Sequence, residues 1–560
     1  MHTPPLSLVE RAVSRFSPFR PQEALLIANL SPQSPPLTVV QEYAQLYSVR
    51  AAFIRWLCTD SVATKCLKRA GGLHLSGACV QDELDLRYLR VPFPVTFENC
   101  TFSKMIMLEH AQCSVLRFTG SKLTGISGDR LIVDKECSLD RGFESSQPVS
   151  LMGAKIRGQL ICREAKFMSP GDAAALNLNH AHIESGLFLN KRFESHGTVN
   201  LVSTHVDGQV NCEGGRFVSR NGVAINASQA RFTGGLRLRS TDTNPTILTG
   251  SCRLTGARIE QQCTFSGTQI EVESPTVAID ANHASFKGSV LVRSTKTSGD
   301  ISFRHARVAE TFELSVPHAD APETTQSCSL EFARLSVLRI ELEHRTSFDL
   351  NLNGCTYEQV ARLAKPIILD DVLRLLAASN TARAFDSQPY TQLARVLAMH
   401  GRDSDSRRVL IARERARTRY AIDLQNSPGI RLLRRYILDP LIGYGYDPRG
   451  TGYASLLTIL ISALIISLPH PSPYLPTDEP VLIPLYYAFD IFIPGIDLGY
   501  ADRWDLPLTG ESRIETRFGS LPANPILLVV EALLTILGWL LTTVMVAALT
   551  GVLRFGEQIR

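Results

Sequence analysis

Four sets of residues in this 560-residue chain carry side chains that can do chemistry. The first is Pro494-Gly495-Ile496-Asp497-Leu498-Gly499, which follows an apolar segment, Val481 to Ile493, too short to span a bilayer. Two longer apolar runs flank it, and helix, re-entrant segment, helix is the layout of a pore-loop channel in which carbonyls or a ring of carboxylates select cations. Asp497 would form that ring. Glu531, inside the second run near its outer end, would line the pore or sit at head-group level. The plainer reading of 481–500 is an interfacial amphipathic helix followed by a turn.

The second set is a run of arginines, Arg413, Arg415, Arg417 and Arg419, followed by Arg431, Arg434 and Arg435. Basic clusters just before a membrane span read as cytoplasmic anchors on anionic lipid. Nucleic acid is the competing partner, and no aromatic stacking platform accompanies the arginines to support it. A formal net charge of +4 is also small for this length.

The third and fourth sets are thiols and imidazoles. All 12 cysteines lie between Cys58 and Cys355, without Cys-x-x-Cys or Cys/His ligand spacing. They read as reduced, buried thiols, so neither a disulfide framework nor a metal site is expected. His180, His182, His283 and His305 recur at what read as differing positions of a repeat, and no single histidine cluster is expected from them.

These residues sit on two kinds of element. The N-terminal two thirds repeats: Leu151, Ala154, Ile156, Gly158, Leu160 and Cys162 have the same spacing as Leu201, Thr204, Val206, Gly208, Val210 and Cys212. Leu254 and Phe303 open further copies, and a second series runs from Leu178, Ala227 and Ala281. Together they give about ten copies of roughly 22 to 27 residues, a solenoid period. Alternation such as Leu236, Leu238 and Val290, Val292 is a strand signal, so each copy is one coil of short strands stacked on its neighbours. The recurring Gly158, Gly186, Gly208, Gly235 and Gly288 are expected at corners with unusual backbone angles.

After Leu352 the coil pattern stops, and from Tyr357 the spacing reads as helical. Pro389 to Ala412 reads as a helical hairpin with Gly401 as its C-cap. Apolar runs at about 453–469 and 525–553 follow, long enough to span a bilayer. Basic flanks and an acidic connecting loop place both chain ends in the cytoplasm, and Met1 to Arg20 has no secretory character. The expected domains are a helical N-terminal cap (1–70), a right-handed parallel β-helix (71–353), a helical junction with the Arg-rich hairpin (354–422) and a two-helix transmembrane domain (423–560).

The coils resemble those of pentapeptide-repeat proteins and related β-helices, with Leu178, Ile183, Phe188 and Phe193 keeping a five-residue beat. The whole layout, with Phe385 to Tyr390, Tyr487 to Asp490, Ile496 to Gly499, Gly538-Trp539 and Leu549 to Gly551, resembles a family of bacterial membrane proteins. Some members are labelled membrane-associated oxidoreductases. That resemblance implies a bacterial inner-membrane location. No Gly-x-Gly-x-x-Gly, haem motif or cysteine pair supports the redox label, and no cofactor or enzymatic activity is expected. The expected function is a scaffold or sensor that binds a cytoplasmic protein on the solenoid surface. A homo-oligomeric pore-loop channel is the alternative.

Overall fold

The computed structural model describes residues 7–31, 47–361, 369–381, 385–424, 436, 439–467, 484–494, 498–499, 513–516 and 519–550, apart from 172, 274–275, 317–325 and 343–347. The chain divides into two compact units, Met1–Ser379 and Asn380–Arg560.

The first unit is a parallel β-solenoid of about 12 turns. A full turn carries four short strands, Lys155–Ile156, Gln159–Ile161, Lys166–Met168 and Leu176–Asn177. His182–Ile183 then lies in parallel register on Lys155–Ile156 and opens the next turn. Strands this short are not stable alone; each is held by its equivalents above and below. The template residues Leu151, Ala154, Ile156, Leu160 and Cys162 are all buried, so the repeated spacing is the spacing of the inner wall. Like packs on like inside it. Phe143, Phe167, Phe193 and Phe217 follow one another at centroid distances of 5.2, 5.5 and 5.3 Å, and burying each ring contributes about 1.5–3 kcal/mol.

One corner of every turn has left-handed backbone, and its occupant directly precedes the small residue of the template. These positions are Tyr88, His110, Arg130, Gly153, His180, Ser203, Gln229, Gly256, His283, His305, Phe332 and Gly354, with φ from 55° to 68°. Such a conformation costs a residue with a Cβ about 1–2 kcal/mol. The turn offsets it with a hydrogen bond from the corner amide to the next turn: His110 N–H donates to the Asp129 carbonyl at 3.0 Å, and His180 N–H to that of Val202 at 3.0 Å. The template glycines therefore do a different job from the one expected. Only Gly235 among them has positive φ. At Gly208 a Cβ would lie 1.3 Å from the Ser185 carbonyl oxygen, and at Gly158 2.2 Å from that of Lys135. Those positions need glycine because backbone of the preceding turn passes too close for a side chain.

Thr356–Ala361 is also a strand, paired in parallel with Arg334–Leu342, where a helix was expected to begin. Tyr357 and Val360 fit either periodicity. The exposed edge of the preceding strand decides between them, because its amides and carbonyls need a partner. Leu369–Thr381 is helical. At the other end, four helices precede the solenoid: Leu8–Phe16, Pro21–Leu30, Ala51–Thr59 and Ser61–Arg69. The last two pack against strands of the first turns. Ser7 and Glu10 form a capping box, and Asp60 caps the fourth helix by accepting from the amides of Val62 and Ala63. Glu23 is wholly buried and bound by the Arg50 guanidinium, which also donates to the Phe16 carbonyl at 2.7 Å.

The second unit opens on a helical hairpin, Gln388–Met399 and Asp403–Leu424. Gly401, at φ +72°, ends the first helix as expected: its amide donates to Ala398 and that of Arg402 to Leu397, the two bonds of a Schellman cap. Three apolar helices follow, Arg449–Ser467, Pro484–Phe492 and Ala523–Leu549, joined through Ile459, Ile466, Tyr487, Ala488, Phe492, Leu534 and Leu541. Gly538 lets the short helix approach, since a Cβ there would lie 2.1 Å from the Phe492 carbonyl oxygen. Two of these helices, Arg449–Ser467 and, over Val529–Leu549, the last, are long and apolar enough to cross a membrane.

Candidate functional site

Because the solenoid keeps its register, outward side chains at one template position form a row along the column. Two residues after the left-handed corner, the row reads Lys155, His182, His205, Arg231, Arg258, Ser285, Arg307 and Arg334, each paired with the next. Successive cations at strand spacing repel one another, and carboxylates two residues further on relieve the middle of the row. Glu260 takes Arg231 at 2.9 Å and Lys287 at 3.1 Å, which holds its carboxyl below the ordinary range. Among the described residues no carboxylate ion-pairs with Arg258, Arg307 or Arg334.

Within this row the structure brings together three groups whose adjacency was not expected. His182 and His205 face each other in register with ring centroids 4.8 Å apart. Asp207 sits between them, Oδ2 at 2.8 Å from His182 Nε2 and Oδ1 at 2.9 Å from His205 Nε2. The hydrogen bond from His182, with the nearby His205, holds the Asp207 carboxyl below its usual range. The three donor atoms all lie within 4.8 Å of one another. Histidines on the corner row pair as well: His283 stacks on His305 at 4.8 Å, and His305 on Phe332 at 5.1 Å. His180, His283 and His305 therefore share one template position, and His182 and His205 another. Laying Ala181 on Thr204, Ala284 on Ala306 in a single series would have exposed both alignments. Beside the corner stack, Arg307, Arg334 and Thr356 complete an open cleft of about 460 Å³.

The cysteines are elsewhere. All are free thiols, ten of them buried and Cys66 and Cys79 half-buried. Burial pushes the thiols of Cys58, Cys113, Cys137 and Cys252 up to about 12, so none is a thiolate at neutral pH.

In the second unit Gly495, Ile496 and Asp497 lie outside the described residues. Pro494 follows the short helix, Leu498 is exposed and donates its amide to the buried Asp490 at 2.7 Å, and Gly499 has φ +63°. Glu531 is a half-buried residue of the last helix. Arg413, expected among the lipid-facing cations, is instead buried: it pairs with Glu414 at 3.0 Å and donates to the Tyr446 hydroxyl at 3.2 Å. Its place on the inner side of the hairpin decides this, because helical spacing puts it on another face than Arg415. Arg415 is exposed and pairs with Asp439 at 2.9 Å, Arg417 lies 3.9 Å from Glu414, and Arg419 is exposed. Arg431, Arg434 and Arg435 lie outside the described residues.

Comparison with known protein families, with curated proteins and with solved structures finds no match to this chain.

Proposed function

We propose that the chain is a membrane-tethered scaffold that binds an acidic cytoplasmic protein along the cationic row of its solenoid. The observation that carries this reading is the row itself, whose Arg258, Arg307 and Arg334 have no ion-pairing carboxylate among the described residues and stand ready for one from a partner. Tethering rests on the two long apolar helices, where Leu456, Leu457, Leu460 and Leu464, and Leu533, Ile536 and Leu540, are exposed. So continuous an apolar surface is suited to lipid and costly in water. In this reading the membrane is a bacterial inner membrane, both termini are cytoplasmic, the column is right-handed as parallel crossovers are, and Leu8–Arg69 caps its first turn. Its coils are of the pentapeptide-repeat-like kind.

The test uses full-length protein. It should float with anionic liposomes and resist alkaline extraction, and in detergent it should bind polyglutamate in a salt-sensitive way. Arg258→Glu/Arg307→Glu/Arg334→Glu together should weaken that binding more than tenfold, about 1.4 kcal/mol. Full solubility without detergent, or polyglutamate binding indifferent to the triple variant, refutes the reading. A second reading, a homo-oligomeric pore, draws on the short helix Pro484–Phe492 packed against both apolar helices. It requires cation flux into liposomes that changes in Asp497→Ala.

A further inference from the structure

We propose that His182, His205 and Asp207 bind a divalent transition-metal ion of the zinc, cobalt or nickel kind, clamping two successive turns of the solenoid. The site is independent of the partner-binding reading above. One ligand comes from one turn and two from the next, and the strand ladder that pairs His182 with His205 fixes their separation before any ion arrives. The rigidity is that of the column, so little ordering is left to be done on binding.

The donor set selects the ion. Two imidazole nitrogens and one carboxylate suit zinc and its neighbours, whereas calcium and magnesium take oxygen sets. Lys155 and Arg231 stand on either side in the same row, which disfavours a hard cation held by charge alone. Bond lengths of about 2.0–2.2 Å place adjacent donors of a tetrahedron roughly 3.3 Å apart. The observed contacts of 2.8 and 2.9 Å need to open by only a few tenths of an ångström. His205 Nε2 is shielded from solvent and lies 2.9 Å from Asp207 Oδ1 off the line of a good hydrogen bond, so an ion between the two groups would give it a better partner. The side chains are 37 to 39% exposed, which leaves the outer coordination positions to water.

The alternative is a carboxylate shared by two imidazoles with no ion, and titration separates the two. Full-length protein without a polyhistidine tag, in detergent and stripped with chelator, is titrated with cobalt(II) chloride and then with zinc chloride. We expect one cobalt ion per chain, ligand-field absorption in the visible without a thiolate charge-transfer band, and displacement by zinc. His182→Ala or His205→Ala should weaken binding at least about tenfold, as loss of a metal-site group does, while His283→Ala/His305→Ala, the stacked pair lacking a carboxylate, should leave it unchanged. Should either alanine variant lose its strand circular dichroism, Asp207→Asn, which keeps shape, decides by weakening binding in the same direction. No cobalt binding, a thiolate band, or affinity unmoved by the His182 and Asp207 variants overturns the proposal.

Discussion

In the solenoid a buried side chain meets its own equivalent one turn away, whereas in the C-terminal unit it meets something unlike itself. Phe193 lies between Phe167 and Phe217; Gly538 lies under a carbonyl of a helix distant in sequence, and Arg413 reaches Thr391, Glu414 and Tyr446 at once. The repeated unit distributes its specification over many similar contacts. The helical unit concentrates it in a few that occur once. An exception within the solenoid is the buried charge of Glu313, and a substitution there should break the contrast most strongly.

Glu313 is wholly buried between Arg293 and Arg339, which stand on the neighbouring turns. Arg293 and Arg339 are 40 and 30% exposed, so the guanidinium groups left by Glu313→Ala still reach water; the loss of their charge-assisted hydrogen bonds should cost about 2–3 kcal/mol, read as the shift in denaturant-induced loss of strand circular dichroism. In the C-terminal unit Gly538→Ala gains about 1 kcal/mol of helix propensity but forces the Phe492 carbonyl away. A net loss of about 1–2 kcal/mol is expected, seen as earlier tryptophan-detected melting in detergent with the strand signal unchanged. Arg415→Ala, removing an exposed pair with Asp439, should change the same melt by less than about 1 kcal/mol. A shift as large as that of Gly538→Ala would contradict this ranking.

The smallest effect concerns pH at the start of the solenoid. Burial works against the Asp60 carboxylate, yet the amides of Val62 and Ala63 and the guanidinium of Arg11 hold its carboxyl below the ordinary value. A folded value below the unfolded one means stabilisation present above pH ~3.9 and lost as pH falls through the lowered value. Asp60→Asn keeps a capping side chain and removes the titration. Its denaturation midpoint should therefore fall less steeply below pH 4 than that of the parent.

The solenoid was legible because its inner wall repeats, and the errors show where repetition hides. The turn containing Gly128, Leu131 and Val133 carries glycine where the template has leucine and leucine where it has alanine, so it escapes a periodicity that implies about ten turns where the structure has about 12. A left-handed corner filled by Tyr88, His110 or Phe332 has no sequence signature, because stacking on the next turn and an inter-turn hydrogen bond outweigh intrinsic preference. The histidine pair at 182 and 205 was divided between two series that are one. The two apolar helices were legible from length and composition. The inward turn of Arg413 was not, since its partner Tyr446 lies 33 residues on.

The parallel ladder gives the column one more property. Each turn bonds only to the turn before and the turn after, and the corner amides from Tyr88 to Phe332 each find an acceptor in the turn that comes next. Excising or duplicating one complete turn, from one left-handed corner to the next, brings equivalent backbone donors and acceptors together again. Length is thus a variable that gene duplication can adjust in steps of one strand spacing, about 4.8 Å, with the backbone ladder rejoined and only the side chains at the new junction changing neighbours.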